Sequence, residues 1–165
     1  MKLRLLLLLL FCTTICLAKT TIQIRQEAEY YVSAYAEHYG VPVEFVRAIV
    51  EQESGWQRCP ISSKGAAGLM QLMPETARLL GVRDRCNVRE NISGGVRYLA
   101  LLMRQFGGDL RLVAAAYYAG SAPIAKRGLN YRNRDVVTYV ASVRARVERQ
   151  RSYKVPEVDR NRRQR

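Results

Sequence analysis

Hydrophobic residues in this chain recur every three to four positions, and no segment alternates convincingly between apolar and polar residues with a period of two. The first pattern predicts amphipathic helices, whereas the second would have predicted strands. A first helix is expected from Ile22 to His38, because Gly40 follows it as a stop signal. A second is expected from Pro42 to Ser54, since a first helical turn tolerates proline. Residues 55–67 are rich in turn-forming residues and should form a loop.

Capping and turn residues predict four more helices in the second half of the chain. They run from Pro74 to Gly81, from an N-cap at Asn91 or Ser93 through Phe106, from an N-cap at Asp109 through Ala119, and from an N-cap at Asn133 to about Arg151. A stretch containing Gly, Pro and Asn joins the last two. The final helix carries one valine stripe, at Val136, Val140, Val143 and Val147. The fold class is therefore predicted to be all-α, with one helical domain over residues 19–151.

The first eighteen residues have the pattern of a secretory signal peptide. Lys2 and Arg4 precede an apolar run from Leu5 to Phe11, and residues 16–18 place small side chains at the −3 and −1 positions of a cleavage site. The run is far shorter than the roughly 20 apolar residues that a membrane span needs. We therefore expect cleavage near Ala18 and a periplasmic or secreted protein, which meets the membrane only through this segment. The alternative is a lipoprotein acylated on one of the two cysteines of the segment.

Two cysteines, Cys59 and Cys86, remain after such cleavage. An even pair in an exported protein predicts a disulfide, and two separate buried thiols are the alternative. The chain has one histidine and no C-x-x-C spacing, so a zinc site is not expected. No motif for another metal or an organic cofactor is present, and none is predicted.

Basic residues dominate the chain, whose formal net charge is +13, and they concentrate at its C-terminal end. Nine Lys or Arg stand against three Asp or Glu from Arg144 onward. We expect residues 152–165 to form a basic, disordered tail. Such charge can attract nucleic acid, anionic lipid or an anionic wall polymer. Export favours the cell wall, and no nucleic-acid partner is expected.

One acidic residue breaks the apolar stripe of the second predicted helix. Val46, Ile49 and Val50 mark the buried side, and Glu53 follows on the same side at the C-terminal end. Burial and the negative end of the helix dipole both disfavour a charged carboxylate, so they raise its pKa. A general acid that works near neutrality needs such a pKa. The alternative, which periodicity alone favours, is a carboxylate that simply reaches solvent at the helix end.

The twenty residues after Glu53 carry two motifs at fixed spacing. Glu53 begins the sequence Glu-Ser-Gly-Trp, and residues 68–73 read Gly-Leu-Met-Gln-Leu-Met. This segment resembles the soluble lytic transglycosylases, which have the fold of goose-type lysozyme and cleave peptidoglycan between N-acetylmuramic acid and N-acetylglucosamine. The resemblance implies that Glu53 is the catalytic acid and base. It also implies that four residues bind the sugar: Ser62, Gly68, Gln71 and Met73.

Later segments extend the resemblance to roughly residues 25–150. Residues 91–99 resemble an Asn-x-x-x-Gly-x-x-Tyr-Leu helix. We interpret Asn91 as its N-cap, and we expect Gly95 to let another helix approach closely. Residues 115–120 resemble Ala-Ala-Tyr-Asn-Ala-Gly, which places Ala116 and Tyr117 on the substrate groove. These residues add scaffold and groove to the predicted domain.

A last motif, residues 135–140, resembles Glu-Thr-x-x-Tyr-Val. By this resemblance Tyr139 is catalytic, since its phenol hydrogen-bonds and orients the Glu53 carboxyl, and Asp135 binds substrate. Two positions depart from the family pattern, because Tyr118 stands where Asn is usual and Asp135 where Glu is usual. Tyr118 puts the details of the groove and the substrate preference in doubt, but not the acid.

The absence of a second acid near Glu53 distinguishes among mechanisms. Most glycoside hydrolases use two carboxylates, and the motif segment contains only one. The resemblance implies a lytic transglycosylase, in which the C6 hydroxyl of muramic acid attacks C1 and gives a 1,6-anhydro product. The alternatives are a hydrolytic muramidase, a non-catalytic module that binds peptidoglycan, and a basic nucleic-acid-binding protein. The small size resembles enzymes that open the wall locally for secretion, conjugation or pilus machines.

Overall fold

The computed structural model describes residues 22–154, which form seven α-helices. They are α1 (22–39), α2 (Val43–Ser54), α3 (Pro74–Leu79), α4 (Val88–Gln105), α5 (Leu110–Ala119), α6 (Ser121–Arg127) and α7 (Arg134–Lys154). Extended structure in this part of the chain is limited to two isolated β-bridges, which pair Ala67 with Ile61 and with Leu72. The all-α prediction is confirmed. The expected signal peptide, and the expected tail from residue 155 on, lie outside the described residues.

The ends of three helices follow the signals seen in the sequence. Gly40 ends α1 with a positive φ of 68°, which glycine adopts without strain. The Asp109 side chain accepts a hydrogen bond from the backbone N–H of Arg111 at 2.9 Å and caps α5. Asn133 likewise accepts from the N–H groups of Asp135 and Val136 at the start of α7. Local capping chemistry therefore sets these boundaries.

The start of α4 differs from the prediction. The helix begins at Val88, and its cap is Asn87, whose side chain accepts from the N–H of Glu90 at 3.0 Å. The Glu90 carboxylate reaches back to the N–H of Arg83 at 2.8 Å. Asn91 therefore lies inside the first turn and is not the cap. Asn87 followed three residues later by Glu90 is a better signal for a helix start than Asn91, because both side chains accept hydrogen bonds from backbone N–H groups.

Two further boundaries correct the prediction. The stretch after α5, expected without a helix, contains α6 and a short 3₁₀ helix over Gly128–Asn130. Pro123 lies in the first turn of α6, where a missing N–H removes no helical hydrogen bond. At the other end, α7 continues to Lys154, three residues beyond the expected domain boundary at residue 151.

The core is organised around α5, which packs against α4, α6 and α7. Its buried face carries mostly small side chains that allow close helix approach: Val113, Ala114, Ala115 and Ala116. α7 also packs along α2, with Val136, Val143 and Val147 buried and Val140 partly buried, as the valine stripe predicted. α1 adds the buried residues Ala28, Val32 and Ala36. The α2–α7 contact matters most for function, because it brings distant polar residues together.

Candidate active site

Glu53 lies in the last turn of α2, on the side that faces the core. Val46, Ile49 and Val50 are fully buried, and Glu53 continues their stripe as a partly buried residue. The helix ends directly after it, where Gly55 adopts a left-handed conformation (φ 57°) and its N–H bonds to the Glu51 carbonyl. The alternative of a carboxylate that simply points into solvent is therefore wrong.

The turn after α2 is fixed by Ser54 and Trp56. Trp56 has a positive φ of 67°, which costs a non-glycine residue about 1–3 kcal/mol unless its surroundings hold it. Its N–H donates to the Ser54 Oγ at 3.1 Å, and that hydroxyl donates to the Val50 carbonyl at 3.0 Å. The indole ring is buried at 7% exposure. These contacts turn the chain sharply directly after Glu53. No sequence pattern predicts this role of Ser54.

Tyr139 on α7 contacts the Glu53 carboxyl. Its phenol O–H donates to the Glu53 Oε1 at 2.5 Å, across 86 residues of sequence. One turn later, the Ser142 hydroxyl donates to the Gln52 side chain at 2.8 Å and fastens the same two helices. Burial, and next the charge of Glu53, raise the pKa of Tyr139 well above 10, so its phenol stays a donor. The structure thus brings together the two residues predicted to be catalytic.

The surroundings of Glu53 shift its protonation into the neutral range. Burial raises the pKa of Glu53 from 4.5 to about 7, and the hydrogen bond from Tyr139 partly opposes that rise. Close to pH 7, about half of the molecules therefore carry a protonated carboxyl. Such a group can donate a proton to a leaving oxygen and then accept one from another hydroxyl.

Two more tyrosines lie beside this pair, and a third packs against one of them. Tyr117 on α5 donates from its phenol to the Met70 carbonyl at 2.7 Å and lies 5.5 Å from the Tyr98 ring. Burial, and next the charge of Glu53, raise the pKa of Tyr117, which places it in the same electrostatic environment. Tyr118 stacks on Tyr139 with ring centres 4.7 Å apart. The site is thus an acid held among aromatic rings.

The loop before α3 forms the next wall and is held by its own polar groups. Gln71 has a positive φ of 45°, and its side-chain amide donates to the carbonyls of Pro60 and Gly68 at 2.8 and 3.0 Å. The Ser62 hydroxyl accepts from the N–H of Ala66 at 3.0 Å. The predicted substrate residues Ser62 and Gln71 therefore also shape the loop.

Asn91 anchors that loop to α4. Its side chain, 1% exposed, accepts from the N–H of Met70 at 2.8 Å and donates to the carbonyls of Ala67 and Arg85. A Cβ on Gly68 would collide with this Asn91 amide and with the Arg85 carbonyl. The role predicted for Asn91 is thus corrected, since a buried amide with three partners is a tertiary anchor and not a cap.

Gly95 also has a different neighbour from the one predicted. A Cβ at this position would overlap the side chain of Met70, which belongs to the loop and not to another helix. Gly94 beside it would similarly meet Val82. Gly95 thus lets the loop lie directly on α4, and Gly94 does the same for the turn after α3.

The predicted substrate residues differ in exposure. Met73 is 43% exposed, and Asp135, which lies one turn before Tyr139 on α7, is also exposed. Ser62, Gln71 and Tyr117 are partly buried. Gly68 is buried, and its N–H already donates to the Pro60 carbonyl at 3.1 Å. Ala116 is completely buried, so its side chain packs in the core and does not face a ligand. Of the partly buried three, Tyr117 shares the electrostatic environment of Glu53 and Tyr139, whereas Ser62 and Gln71 bond within the loop. Gly68 and Ala116 shape the loop backbone and the core.

A disulfide joins Cys59 to Cys86, with their Cα atoms 5.0 Å apart. It connects the loop after α2 to the turn before α4. Arg85, next to the bridge, donates from its guanidinium to the carbonyls of Gly65 and Leu72. The wall of the site is therefore fixed covalently and by charge-assisted hydrogen bonds.

The nearest acid along α2 is turned away from Glu53. Glu51 pairs with Arg146 at 3.5 Å and with Arg149 at 3.4 Å. Residues 54–74, which span the adjoining loop, contain no acid. Within residues 22–154, no group of three or more His, Cys, Asp or Glu could hold a metal ion. The arrangement therefore offers one carboxyl with a near-neutral pKa.

Comparison with known families gives this geometry a context. A family model described as the transglycosylase SLT domain matches residues 30–139, a span from α1 to the phenol partner of Glu53. The chain belongs to this family. Its SLT domain therefore contains Glu53, the loop, Asn91 and Tyr139.

Curated relatives match over this domain. A membrane-bound lytic murein transglycosylase F from Thiobacillus denitrificans is 51% identical over 63 residues, which cover 38% of this chain and 13% of the relative. The protein of the same name from Pseudomonas fluorescens is 35% identical over 115 residues, 62% of this chain and 24% of the relative. The chain thus spans about a quarter or less of these relatives.

Solved structures confirm the lysozyme-like SLT fold. A lytic transglycosylase Slt from Pseudomonas aeruginosa superposes with a TM-score of 0.67 at 26% identity, over 78% of this chain and 24% of that one. The 70-kDa soluble lytic transglycosylase from Escherichia coli gives a TM-score of 0.67 at 25% identity, over 77% and 24%. Among the helices of residues 22–154, none has the length and apolar character to cross a membrane.

Proposed function

We propose that this chain is a peptidoglycan lytic transglycosylase that cleaves the β-1,4 bond between N-acetylmuramic acid and N-acetylglucosamine. The observation that carries the proposal is the single carboxyl of Glu53, with a pKa of about 7 and a hydrogen bond from Tyr139. Its membership of the SLT domain family, and the names of its relatives, support the same activity.

Glu53 performs both proton transfers in this mechanism. Its protonated carboxyl donates to the glycosidic oxygen while the bond from that oxygen to C1 breaks and positive charge develops at C1. The resulting carboxylate then takes the proton from the C6 hydroxyl of the same muramic acid, whose oxygen bonds to C1. The product is a 1,6-anhydro sugar, and no water is consumed. Tyr139 holds one carboxyl oxygen throughout, so the other faces the substrate.

Replacing Glu53 by Gln tests this mechanism. Glu53→Gln keeps the size and the acceptor for Tyr139 but has no proton of suitable pKa, so muropeptide release should fall by about 1,000-fold or more. Binding to isolated sacculi should stay close to that of the wild type. Release at the wild-type rate would rule out Glu53 as the acid.

The mass of the released muropeptides identifies the nucleophile. Products lighter by one water than the hydrolysed sugars indicate attack by the C6 hydroxyl, whereas products of full mass indicate a hydrolytic muramidase. A chain that binds sacculi and releases nothing would be a peptidoglycan-binding assembly module.

The setting of the enzyme forms the finer part of the proposal. The basic, apolar and small-residue segments of residues 1–18 support export to the periplasm or beyond, and the basic end of the chain supports docking on the wall or on a secretion, conjugation or pilus machine. Deleting residues 155–165, which lie beyond α7, should reduce localisation or secretion more than activity on isolated peptidoglycan. An equal loss of both would contradict the docking role.

A further inference from the structure

Tyr118 presents an exposed aromatic ring beside the Glu53–Tyr139 pair. It is the next-to-last residue of α5, and 49% of it remains exposed although its neighbours on the helix are more buried. Its ring stacks on that of Tyr139, with centres 4.7 Å apart and planes inclined by 29°. Stacking on Tyr139 covers one face of the Tyr118 ring and leaves the opposite face outside that contact.

This open face stands close to the catalytic acid. Tyr139, on which Tyr118 rests, donates its phenol proton to Glu53. A ring fixed by a buried neighbour loses little conformational freedom when a ligand stacks on it. The negative face of an aromatic ring attracts weakly positive hydrogens, and one side of a pyranose presents a row of C–H groups. The position, rigidity and chemistry of the Tyr118 ring thus suit a sugar.

We propose that Tyr118 forms a sugar-stacking subsite, in which its open ring face binds a pyranose of the glycan strand beside Glu53. The proposal rests on the proposed function for the nature of the strand. It also gives a use to the position at which the chain departs from the Asn of the family motif. An asparagine side chain has no aromatic face. Tyrosine at this position therefore adds a stacking interaction with the sugar, besides removing the amide.

A structural role for Tyr118 predicts different behaviour. If the ring only supported Tyr139, its loss would disturb the Glu53 hydrogen bond and lower kcat, while strand binding would stay unchanged. Tyr118→Leu preserves much of the packing on Tyr139 but has no aromatic face. Tyr118→Phe keeps the face and removes only the hydroxyl. The two variants therefore separate stacking from support.

The binding test uses Glu53→Gln chains, which hold the strand without cleaving it. Each carries Tyr118 as Tyr, Phe, Leu or Asn, and the ligand is uncross-linked glycan strand of alternating N-acetylglucosamine and N-acetylmuramic acid. Calorimetry gives Kd, and proton NMR gives the ring-current shift of the sugar C–H signals. Tyr30→Leu in the same background is the matched control, because Tyr30 is an exposed tyrosine on α1 at 69% exposure.

We expect the Leu and Asn variants to bind about fivefold more weakly and to lose the upfield shifts. The Phe variant and the Tyr30→Leu control should match the parent in both readouts. Unchanged Kd in Tyr118→Leu, or upfield shifts that persist without the ring, would overturn the subsite.

Turnover by the chain with its native Glu53 separates this proposal from the proposed function. If that chain releases anhydro muropeptides and Tyr118→Leu lowers only kcat, the function stands and the subsite fails. If it releases nothing while the Kd pattern holds, the subsite stands and the lytic activity fails.

Discussion

The near-neutral pKa of Glu53 links catalysis to stability. Burial raises this pKa from 4.5 to about 7, so the folded chain binds a proton that the unfolded chain has already released in this range. Folding is then favoured at low pH, and stability falls as the pH rises from about 4.5 through 7. The site therefore destabilises the protein most under the conditions in which Glu53 is ionised.

Glu53→Gln should stabilise the folded chain at pH 8 and have little effect at pH 4. The largest gain is about 3 kcal/mol, because the substitution removes the cost of ionising a buried carboxyl. Urea unfolding of both chains at the two pH values measures the difference. A stability gain that does not change with pH would contradict a raised pKa in the folded state.

Tyr139→Phe should alter the pH dependence of turnover as well as its rate. The phenol hydrogen bond lowers the pKa of Glu53, so its loss moves the pKa above about 7 and shifts the alkaline limb of the pH–rate profile upward. The carboxyl also loses its orientation, and kcat should fall about tenfold or more. Ser142→Ala, one turn along α7, is the control. It removes a hydrogen bond between the same helices and should leave the limb in place.

At the scale of single residues, the sequence predicts the acid better than its partners. Glu53 lies three to seven positions after the residues of a buried stripe, so periodicity marks its position as unusual, and the motif spacing then identifies it as the acid. Tyr139 lies 86 residues further on, and only the resemblance pointed to its hydroxyl. The positive φ of Trp56 had no local signal, because tertiary contacts impose it. The exposed stacking of Tyr118 likewise depends on how two helices meet.

Among the elements of the fold, the loop of residues 55–73 depends most on one helix. Gly68 lies where its backbone touches Asn91 of α4, and it has a φ of 83°. Gly65 has nearly the same φ, 84°, but a Cβ there would meet no atom within 4 Å. The two glycines therefore separate the cost of backbone conformation from the cost of crowding.

Gly68→Ala should destabilise the chain much more than Gly65→Ala. Backbone strain alone costs the second variant about 1 kcal/mol, whereas the first must also displace Asn91 and should lose roughly 3 kcal/mol or more. Thermal or urea unfolding compares them. Similar losses in both variants would mean that the loop yields easily and that Asn91 does not hold it tightly.

Helix boundaries were predictable where a cap acts locally. Asp109 and Asn133 cap the helices that follow them, as expected. Asn91 misled the prediction, because two asparagines lie four residues apart and only one of them can be the cap. α6 was missed because the Gly and Pro that read as loop signals lie at its ends and in its first turn, where they are compatible with a helix.

For the whole molecule, the disulfide between Cys59 and Cys86 closes a segment with a sequence separation of 27. In the chain-entropy model, a loop of this length stabilises the folded state by about 3.5 kcal/mol. The double variant with Ser at both positions should lose about this amount in urea unfolding. Reductant should lower the stability of the wild type and leave the variant unchanged. A reductant effect on both would point to a cause other than the bridge.

The fold class followed from hydrophobic period, whereas the arrangement of the helices did not. Valines at 136, 140, 143 and 147 showed which side of α7 is buried, but not that this side packs on α2 and α5. The small residues of α5 make it the centre of the bundle, and that depends on all its neighbours at once. The arrangement of the helices was predicted from the family resemblance, because members of one family share one topology.

The hydrogen bond between the Met70 N–H and Asn91 also affects how the molecule exchanges its amide hydrogens. Both groups are buried, so deuterium cannot reach this amide through a small movement of the loop. Exchange requires the loop and the first half of α4 to separate as one cooperative unit. Met70, which has no regular secondary structure around it, should therefore exchange as slowly as an amide in the middle of a helix.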